Sequence, residues 1–240
     1  MKKALNISSV FILGILLLAS CNSLNTIIGS DEINEKSYDF SGFNSLDISH
    51  SFNVEIFQSD EYKVIVTYNN NLEEYMEVTN QDKNLKIGLA GRNNYGKTKL
   101  TAKVYLPSLK SLEASGACNL QMDKFITDNL EIKLSGASKF IGFLTNKNNL
   151  TVETSGASKI ELEGTSENAD IELSGASNFK GKSLVVENKL AIDCSGASKL
   201  AITANGDITS KISGASHLDY YGTGTISDSK ISGASSVQKH

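Results

Sequence analysis

The tetrapeptide Ser-Gly-Ala-Ser, which recurs seven times in the second half of the chain, constrains the fold more than any other feature. Its only variant is Cys118, which replaces the last serine of the first copy, and the copies follow one another at intervals of 18 to 21 residues. They begin at Ser115, Ser135, Ser155, Ser174, Ser195, Ser213 and Ser232. Self-similarity at such a period is typical of a repeat architecture, in which each unit buries its apolar face against its neighbours.

The residues on either side of the tetrapeptide predict strands. An apolar residue usually precedes it, and the second residue after it is apolar in every copy, as at Leu120, Phe140 and Val237. Alternation of this kind is typical of a strand with one buried face, so each repeat is a strand, a corner and a strand. Stacking such units about 4.8 Å apart gives an all-β parallel β-solenoid with about 20 residues per turn, or rung. A leucine-rich repeat would need a helix in each unit, and a propeller would need about twice this period.

The chain contains 19 glycines and one proline, and the glycines do not cluster as a linker. Seven of the glycines hold the same place in the corner, where a positive φ, which glycine adopts without strain, would let the chain turn sharply. We expect the stacked serines to hydrogen-bond to each other and to backbone groups of the corner. The predicted corner glycines are Gly116, Gly136, Gly156, Gly175, Gly196, Gly214 and Gly233.

Residues 38–107 are less regular but carry the same alternation. Leu46 to Ile56 can be laid on the repeat as a degenerate early rung, with Phe52 in the apolar column that follows the corner. The pattern predicts strands at 62–68, 85–89 and 100–106, and surface loops at 69–74 and 91–97. We interpret residues 38–107 as amino-terminal rungs and cap of one solenoid that continues through the array at 108–240. The alternative is a separate small β-domain.

The first segment resembles an export signal. Lys2 and Lys3 precede an apolar stretch from Val10 to Leu18, which is too short for a comfortable membrane span. The run from Leu18 to Cys21 resembles a bacterial lipobox. This interpretation makes residues 1–20 a lipoprotein signal peptide, Cys21 the lipidated residue and residues 21–37 the lipidated cysteine with its tether. No Asp follows Cys21, which resembles outer-membrane sorting. The alternative is an ordinary cleaved signal beside an unrelated cysteine.

The lipobox, the opening Phe40-Ser41-Gly42-Phe43 and the serial Ser-Gly-Ala-Ser rungs together resemble the putative auto-transporter adhesin, head GIN domain family of bacterial lipoproteins. The resemblance covers roughly residues 38 to 237. It implies a right-handed, single-stranded β-helix and supplies no catalytic residues. Family members usually have Ser-Gly-Ser-Gly or similar corners, so the alanine is a mild departure.

The remaining reactive residues predict no catalytic, metal or cofactor site. Cys118 and Cys194 belong to repeats four rungs apart, about 19 Å by strand spacing, which is too far for a disulfide. Cys194 falls in the apolar column and His217 falls in an outward polar column. Tyr220 and Tyr221 could stack on a sugar, or they could pack in the core or at an edge. No zinc-protease, nucleophile-elbow or phosphate-loop motif is present. The aspartates Asp170, Asp193, Asp207 and Asp219 do not hold one column of the repeat.

The charge and the repeat together favour a binding protein. A net charge of −4 without a run of like charges argues against nucleic acid as a partner. The leading hypothesis is a lipid-anchored, non-enzymatic envelope protein with an adhesion-like role toward a glycan or protein ligand. One alternative is a carbohydrate-active enzyme or carbohydrate-binding module, which a groove with two carboxylates within about 10 Å of each other would favour. Another is a structural protein that self-associates through the open edge of its last rung.

Overall fold

The computed structural model describes residues 26–91 and 93–240, and almost all of its regular structure is β. A single short 3-10 helix, Asn70–Tyr75, interrupts the described strands. The strands are β1 (Thr26–Ile28), β2 (Ile33–Tyr38), β3 (Ser45–Ile48), β4 (Asn53–Gln58), β5 (Lys63–Asn69), β6 (Met76–Gln81), β7 (Asn84–Leu89), β8 (Asn94–Gly96), β9 (Thr101–Leu106), β10 (Ser111–Ala114), β11 (Asn119–Leu134), β12 (Lys139–Thr154), β13 (Lys159–Leu173), β14 (Asn178–Cys194), β15 (Lys199–Ala204), β16 (Asp207–Ile212), β17 (His217–Tyr221), β18 (Thr225–Ile231) and β19 (Ser236–Lys239). Strands β1 and β8 pair with each other, and the other 17 form one continuous sheet.

The repeat array is a parallel β-solenoid, which confirms the predicted fold. Each strand pairs in parallel with the equivalent strand one rung away, so that Leu120 lies beside Phe140 and Phe140 beside Ile160. The long strands β11 to β14 contain register shifts, where the chain bends between the side that follows one corner and the side that leads to the next. Apolar side chains turned inward from successive rungs form one core.

Backbone contacts between rungs determine the shape of each corner. All seven corner glycines have positive φ, between 72° and 85°. From the second repeated corner onward, the residue after the glycine donates a backbone hydrogen bond of 2.7 Å to the glycine carbonyl of the previous rung, as Ala157 does to Gly136. A methyl group at Gly156 would overlap that same carbonyl oxygen. The corner therefore needs glycine both for its φ and for its close approach to the neighbouring rung.

The corner serines bond to the backbone rather than to each other's hydroxyl groups. In the first five copies the last residue of the tetrapeptide is buried, and its side chain donates to the carbonyl of the first residue, as Ser158 Oγ does to Ser155 O at 3.0 Å. Cys118 makes the same contact through Sγ at 3.2 Å. Because these hydroxyls face inward, the corner presents mainly glycine and alanine to solvent.

The amino-terminal rungs stack in an order that differs from the order of the chain. The rung formed by β3 and β4 lies between β7 and β9 on one side and β10 and β11 on the other, with all of these neighbours parallel to it. Strands β5 and β6 then pair antiparallel with β9 and β7, and β2 pairs antiparallel with β5. These antiparallel strands cover the amino-terminal end of the stack.

Four expectations for this section need correction. Val54, rather than Phe52, pairs with Leu120 in the column after the corner, while Phe52 matches Cys118 as the buried last residue of its own corner. The tether predicted at 21–37 is wrong from Thr26 onward, because β1 and β2 add strands to the fold. The loop predicted at 69–74 is mostly a 3-10 helix that buries Leu72, and the loop predicted at 91–97 contains β8.

Candidate functional site

A column of charged side chains runs up one face of the solenoid, two residues before each corner. Strand alternation turns this position outward, and the pairing register places each member beside its equivalent in the next rung. The column therefore repeats about every 4.8 Å. From the first repeated corner to the sixth it consists of Glu113, Lys133, Glu153, Glu172, Asp193 and Lys211.

A row of hydroxyl groups runs parallel to this charged column. It is formed by the first serine of each corner, which is half-buried in most rungs. Some of these hydroxyls donate to the carbonyl of the rung below, as Ser174 Oγ does to Thr154 O at 3.0 Å and Ser213 Oγ does to Cys194 O at 3.4 Å. An oxygen that donates one hydrogen bond can still accept others, so the row offers polar contacts along the solenoid.

Between the charged column and the hydroxyl row lies a groove of about 480 Å³, which we call the corner groove. It spans the six rungs from Glu113 to Ser213. Leu134 and Leu173 border it, but their side chains are buried in the core. The surface that a ligand would meet is therefore polar.

Lysines compensate the carboxylates of the corner groove unevenly. Lys133 Nζ lies 2.8 Å from Glu131 and 3.6 Å from Glu153, and Lys211 Nζ lies 2.8 Å from Asp193. Hydrogen bonding to these carboxylates raises the pKa of both lysines, through Glu131 for Lys133 and through Asp193 for Lys211. Among the described residues, no ion pair involves Glu172, which lies one rung from Glu153 and one rung from Asp193.

This column was not predicted from the sequence, because only the aspartates were compared between repeats. Asp193 belongs to the corner groove, Asp170 lies two residues before the charged column, and Asp219 lies on the strand after a corner. The glutamates at 153 and 172 complete a run of three carboxylates on successive rungs. Reading the second residue before every Ser-Gly-Ala-Ser would have found the run.

The corner groove meets the spacing criterion that the sequence analysis set for an enzyme, since adjacent carboxylates lie one rung apart. Their surroundings do not resemble those of a glycosidase acid, which typically lies in an apolar pocket. The side chains of Glu153 and Asp193 are 45% and 40% exposed and pair with lysines. No group of three His, Cys, Asp or Glu side chains in residues 26–91 and 93–240 is placed to hold a metal ion.

Comparison with known families identifies the chain. The family described as putative auto-transporter adhesin, head GIN domain matches residues 42–224, which is 183 of the 240 residues. The chain belongs to this family. The resemblance inferred from its lipobox and repeated corners is thereby confirmed. No match was found among curated proteins.

Solved crystal structures share the fold of this head GIN chain. A putative adhesin from Bacteroides fragilis is 21% identical, with a TM-score of 0.83 over 89% of this chain and 100% of that one. A putative lipid binding protein from Parabacteroides distasonis is 19% identical, with a TM-score of 0.72 over 90% of this chain and 100% of that one. A putative adhesin from Parabacteroides merdae is also 19% identical, with a TM-score of 0.71 over 90% of this chain and 99% of that one.

The two cysteines of the head GIN solenoid that the structure describes are free and buried. Burial raises the pKa of the Cys118 thiol and raises that of Cys194 to about 12. Both thiols therefore stay protonated at neutral pH, so neither supplies the thiolate that a nucleophile or metal ligand needs.

The histidines near the end of the chain meet at one carboxylate. Asp219 Oδ1 lies 3.2 Å from His217 Nε2 and 2.7 Å from His240 Nε2, and His217 Nδ1 lies 2.6 Å from Ser236 Oγ. The hydrogen bond from His240 is the main cause that lowers the pKa of Asp219. Tyr221 stacks on His240 with ring centroids 4.7 Å apart. These contacts hold β19 against β17.

A second exposed surface of the head GIN chain is partly apolar. Ile126, Ile141 and Phe143 are exposed on β11 and β12, and the rings of Phe57 and Tyr105 stack nearby with centroids 4.8 Å apart. Lys124 Nζ lies 5.8 Å from the Phe143 ring centroid. This surface offers no row of hydrogen-bonding groups comparable to that of the corner groove.

The predicted signal peptide and the lipidation residue Cys21 lie outside the described residues. Within the part of the chain that the structure describes, no helix has the length and apolar character needed to cross a membrane.

Proposed function

We propose that this chain is a lipid-anchored, non-enzymatic binding protein of the bacterial cell envelope with an adhesion-like role. The corner groove carries the proposal, because it offers hydroxyl and charged groups on successive rungs of a rigid stack. Many weak polar contacts in register can hold an extended ligand without any chemical step.

The envelope location rests on the lipobox that ends at Cys21. A lipidated amino terminus would attach the chain to a membrane without a spanning helix. The names of the similar proteins, putative adhesins from Bacteroides and Parabacteroides, support a role at the cell surface. The residue after Cys21 is Asn22, not Asp, which supports the outer membrane.

Cell fractionation tests the anchor. The full chain, expressed in a bacterium that processes lipoproteins, should incorporate a labelled fatty acid and remain in the membrane fraction. Cys21→Ala should lose the label and leave the membrane fraction, whereas Ser23→Ala should behave as wild type. Full retention of label in Cys21→Ala would exclude this anchor.

A glycan array with residues 21–240, which contain every described strand, tests the binding role. We expect binding that falls when Glu153→Gln, Glu172→Gln and Asp193→Asn are combined, and that persists in Glu163→Gln on another face of the solenoid. If no glycan binds, the same comparison of the triple variant with Glu163→Gln is made by measuring the capture of protein ligands. Equal binding by both variants would contradict a role for the corner groove.

The carboxylate run favours one alternative, a carbohydrate-active enzyme on the same scaffold. Incubation with the polysaccharides that bind, followed by measurement of new reducing ends, distinguishes the two. Cleavage that stops in Glu172→Gln would replace the binding proposal with this one.

Self-association is a further alternative. Within the described residues, β18 and β19 each pair on one side only, and Ile231 of the inward column is 51% exposed. An open strand edge can pair with a second copy. Sedimentation of the full-length lipoprotein in detergent at high concentration tests this, and a strict monomer would exclude it.

A further inference from the structure

We infer that the corner groove takes an extended glycan chain that carries amino groups, with roughly one sugar unit beside each rung. The inference rests on the proposed binding function and adds the chemical class of its ligand. It follows from the periodicity of the groove, the polarity of its surface and its charge.

The periodicity selects a ligand that is itself a repeating chain. Equivalent groups recur along the groove at the rung spacing of about 4.8 Å, and a pyranose ring in an extended polysaccharide advances by a similar length. Each rung offers a serine hydroxyl and a charged side chain, for example Ser155 with Glu153 and Ser174 with Glu172. Hydroxyl and carboxylate oxygens can accept hydrogen bonds from sugar hydroxyls. In a chain whose successive rings alternate in orientation, every second ring would therefore meet a similar pair of partners.

The polarity argues against an extended peptide. Peptides that bind as strands need free backbone groups at a sheet edge. The rungs beneath the groove use theirs for pairing with the rungs on both sides, from β11 to β14. The leucines at the border point inward and leave no pocket for an apolar side chain.

The charge selects amino groups over acidic ones. The groove contains four carboxylates and two lysine ammonium groups, so its net charge is −2. Lys133 and Lys211 bond to the carboxylates around Glu172, while Glu172 takes part in no ion pair among the described residues. Lys211 acts on Glu172 only from beyond ion-pair distance. An amino sugar placed at this rung would therefore supply a closer cation, and a uronic acid there would be repelled.

A metal ion fits the groove less well than an amine. The three carboxylates lie on successive rungs of one column, which separates them along the stack instead of gathering them around one point. The described residues contain no group of three acidic, histidine or cysteine side chains placed to hold a metal ion. Binding of the amino-glycan should therefore be unchanged by a chelator.

Calorimetric titration of residues 21–240 with three hexasaccharides tests the inference. The probes are glucosamine, N-acetylglucosamine and galacturonic acid hexamers, which at about pH 5.5 are cationic, neutral and anionic, while the carboxylates of the groove stay ionised. We expect the glucosamine hexamer to bind most tightly, to bind more weakly as salt is added and to bind equally in the presence of a chelator. The galacturonic acid hexamer should bind weakest of the three.

Two variants with opposite effects make the result specific. Glu172→Gln should weaken glucosamine binding roughly two- to fivefold, as expected for loss of one exposed ion pair, and should leave the neutral hexamer unchanged. Lys133→Gln together with Lys211→Gln should strengthen glucosamine binding by making the groove more negative. Glu163→Gln removes the same charge outside the groove and should change nothing. Circular dichroism verifies that each variant is folded.

The outcomes separate this inference from the proposed function. Glycan binding that does not depend on ligand charge, or that responds equally to Glu172→Gln and Glu163→Gln, overturns the inference and leaves the binding role standing. Failure of all three hexamers to bind also overturns the inference. Failure of every ligand in the array and in protein capture overturns the proposed function as well.

Discussion

The corner takes different forms where one repeated rung lies on another and where the first repeated rung lies on the amino-terminal rung of β3 and β4. In an interior rung such as that of Gly156, a neighbouring glycine carbonyl lies against the corner and accepts a backbone hydrogen bond. Gly116 instead rests on the corner at His50 and Ser51, where a methyl group would lie 3.5 Å from His50 N. His50 and Ser51 themselves have positive φ, at 59° and 63°, without being glycine. The comparison teaches that the repeated glycine is required by the contact between repeats as well as by the turn.

The largest expected effect contrasts two equivalent glycines. Gly156→Ala should lower the free energy of unfolding by roughly 2–5 kcal/mol, because the methyl group both occupies the left-handed region and overlaps the Gly136 carbonyl. Gly116→Ala should cost only about 1–2 kcal/mol, since it meets the φ penalty alone. Urea unfolding followed by circular dichroism measures both.

Gly42→Ala is the control for the φ penalty, because Gly42 has a φ of 76° and no atom within 4 Å of the added methyl group. The decrease in the free energy of unfolding should be the same in Gly42→Ala as in Gly116→Ala. If Gly156→Ala were no worse than these two, close approach between rungs would not be what requires glycine.

A smaller effect concerns the buried last residue of the corner. Ser158→Ala removes the hydrogen bond to Ser155 O at 3.0 Å and should cost about 1 kcal/mol. Cys118→Ser should change stability by less than about 0.5 kcal/mol, because a serine there can donate to Ser115 O as Sγ now does. Thermal unfolding of the two variants and of wild type measures these differences in stability. A large loss in Cys118→Ser would mean that the first corner depends on sulfur packing, unlike the others.

The smallest effect is a pH dependence of the last described rungs. The pKa of Asp219 is lowered in the folded chain, mainly by its hydrogen bond with His240. A group of this kind stabilises the fold above its unfolded pKa and loses that contribution as the pH falls through the folded value. Asp219→Asn should therefore be less stable than wild type at pH 6, and the difference should shrink below about pH 4.

Hydrogen exchange of β17 and β19, corrected at each pH for the intrinsic exchange rate, shows whether the loss of stability lies in these two strands. Asp207→Asn, an exposed substitution on β16, is the control and should leave β19 as protected as in wild type. A difference between Asp219→Asn and wild type that is constant from pH 6 to pH 3 would contradict the assignment.

Local pattern was enough to predict the array, because every repeat carries its own corner and its own inward residues. It was not enough for the amino-terminal rungs. The rung of β3 and β4 lies between strands that come later in the chain. The spacing of a sequence repeat does not predict an order of rungs that differs from the order of the chain. Phe52 was placed two residues out of register because its corner contains no glycine to align on. Residues 26–37 were expected to belong to a tether because the strands that pair with them, β8 and β5, are distant in the chain.

The candidate site was only partly accessible from the sequence. The corner glycines were identified directly, since one residue type occupies one position in every repeat. The charged column mixes Glu, Asp and Lys, so it is visible only when position is compared and residue identity is ignored. Lys133 and Lys211 pair with neighbouring carboxylates, whereas Glu172 has no ion pair among the described residues. This difference depends on the positions of the side-chain atoms, which cannot be predicted from the spacing of residues in the sequence.

The chain of corner hydrogen bonds from alanine N–H to glycine carbonyl also bears on how such a molecule can change in evolution. Each interior corner makes the same contact above and below, so a whole repeat can be duplicated or lost while every remaining interface stays as it was. Each event would lengthen or shorten the stack by about 4.8 Å. The height at which its surface is presented could thus be adjusted in single-rung steps, without redesign of the fold.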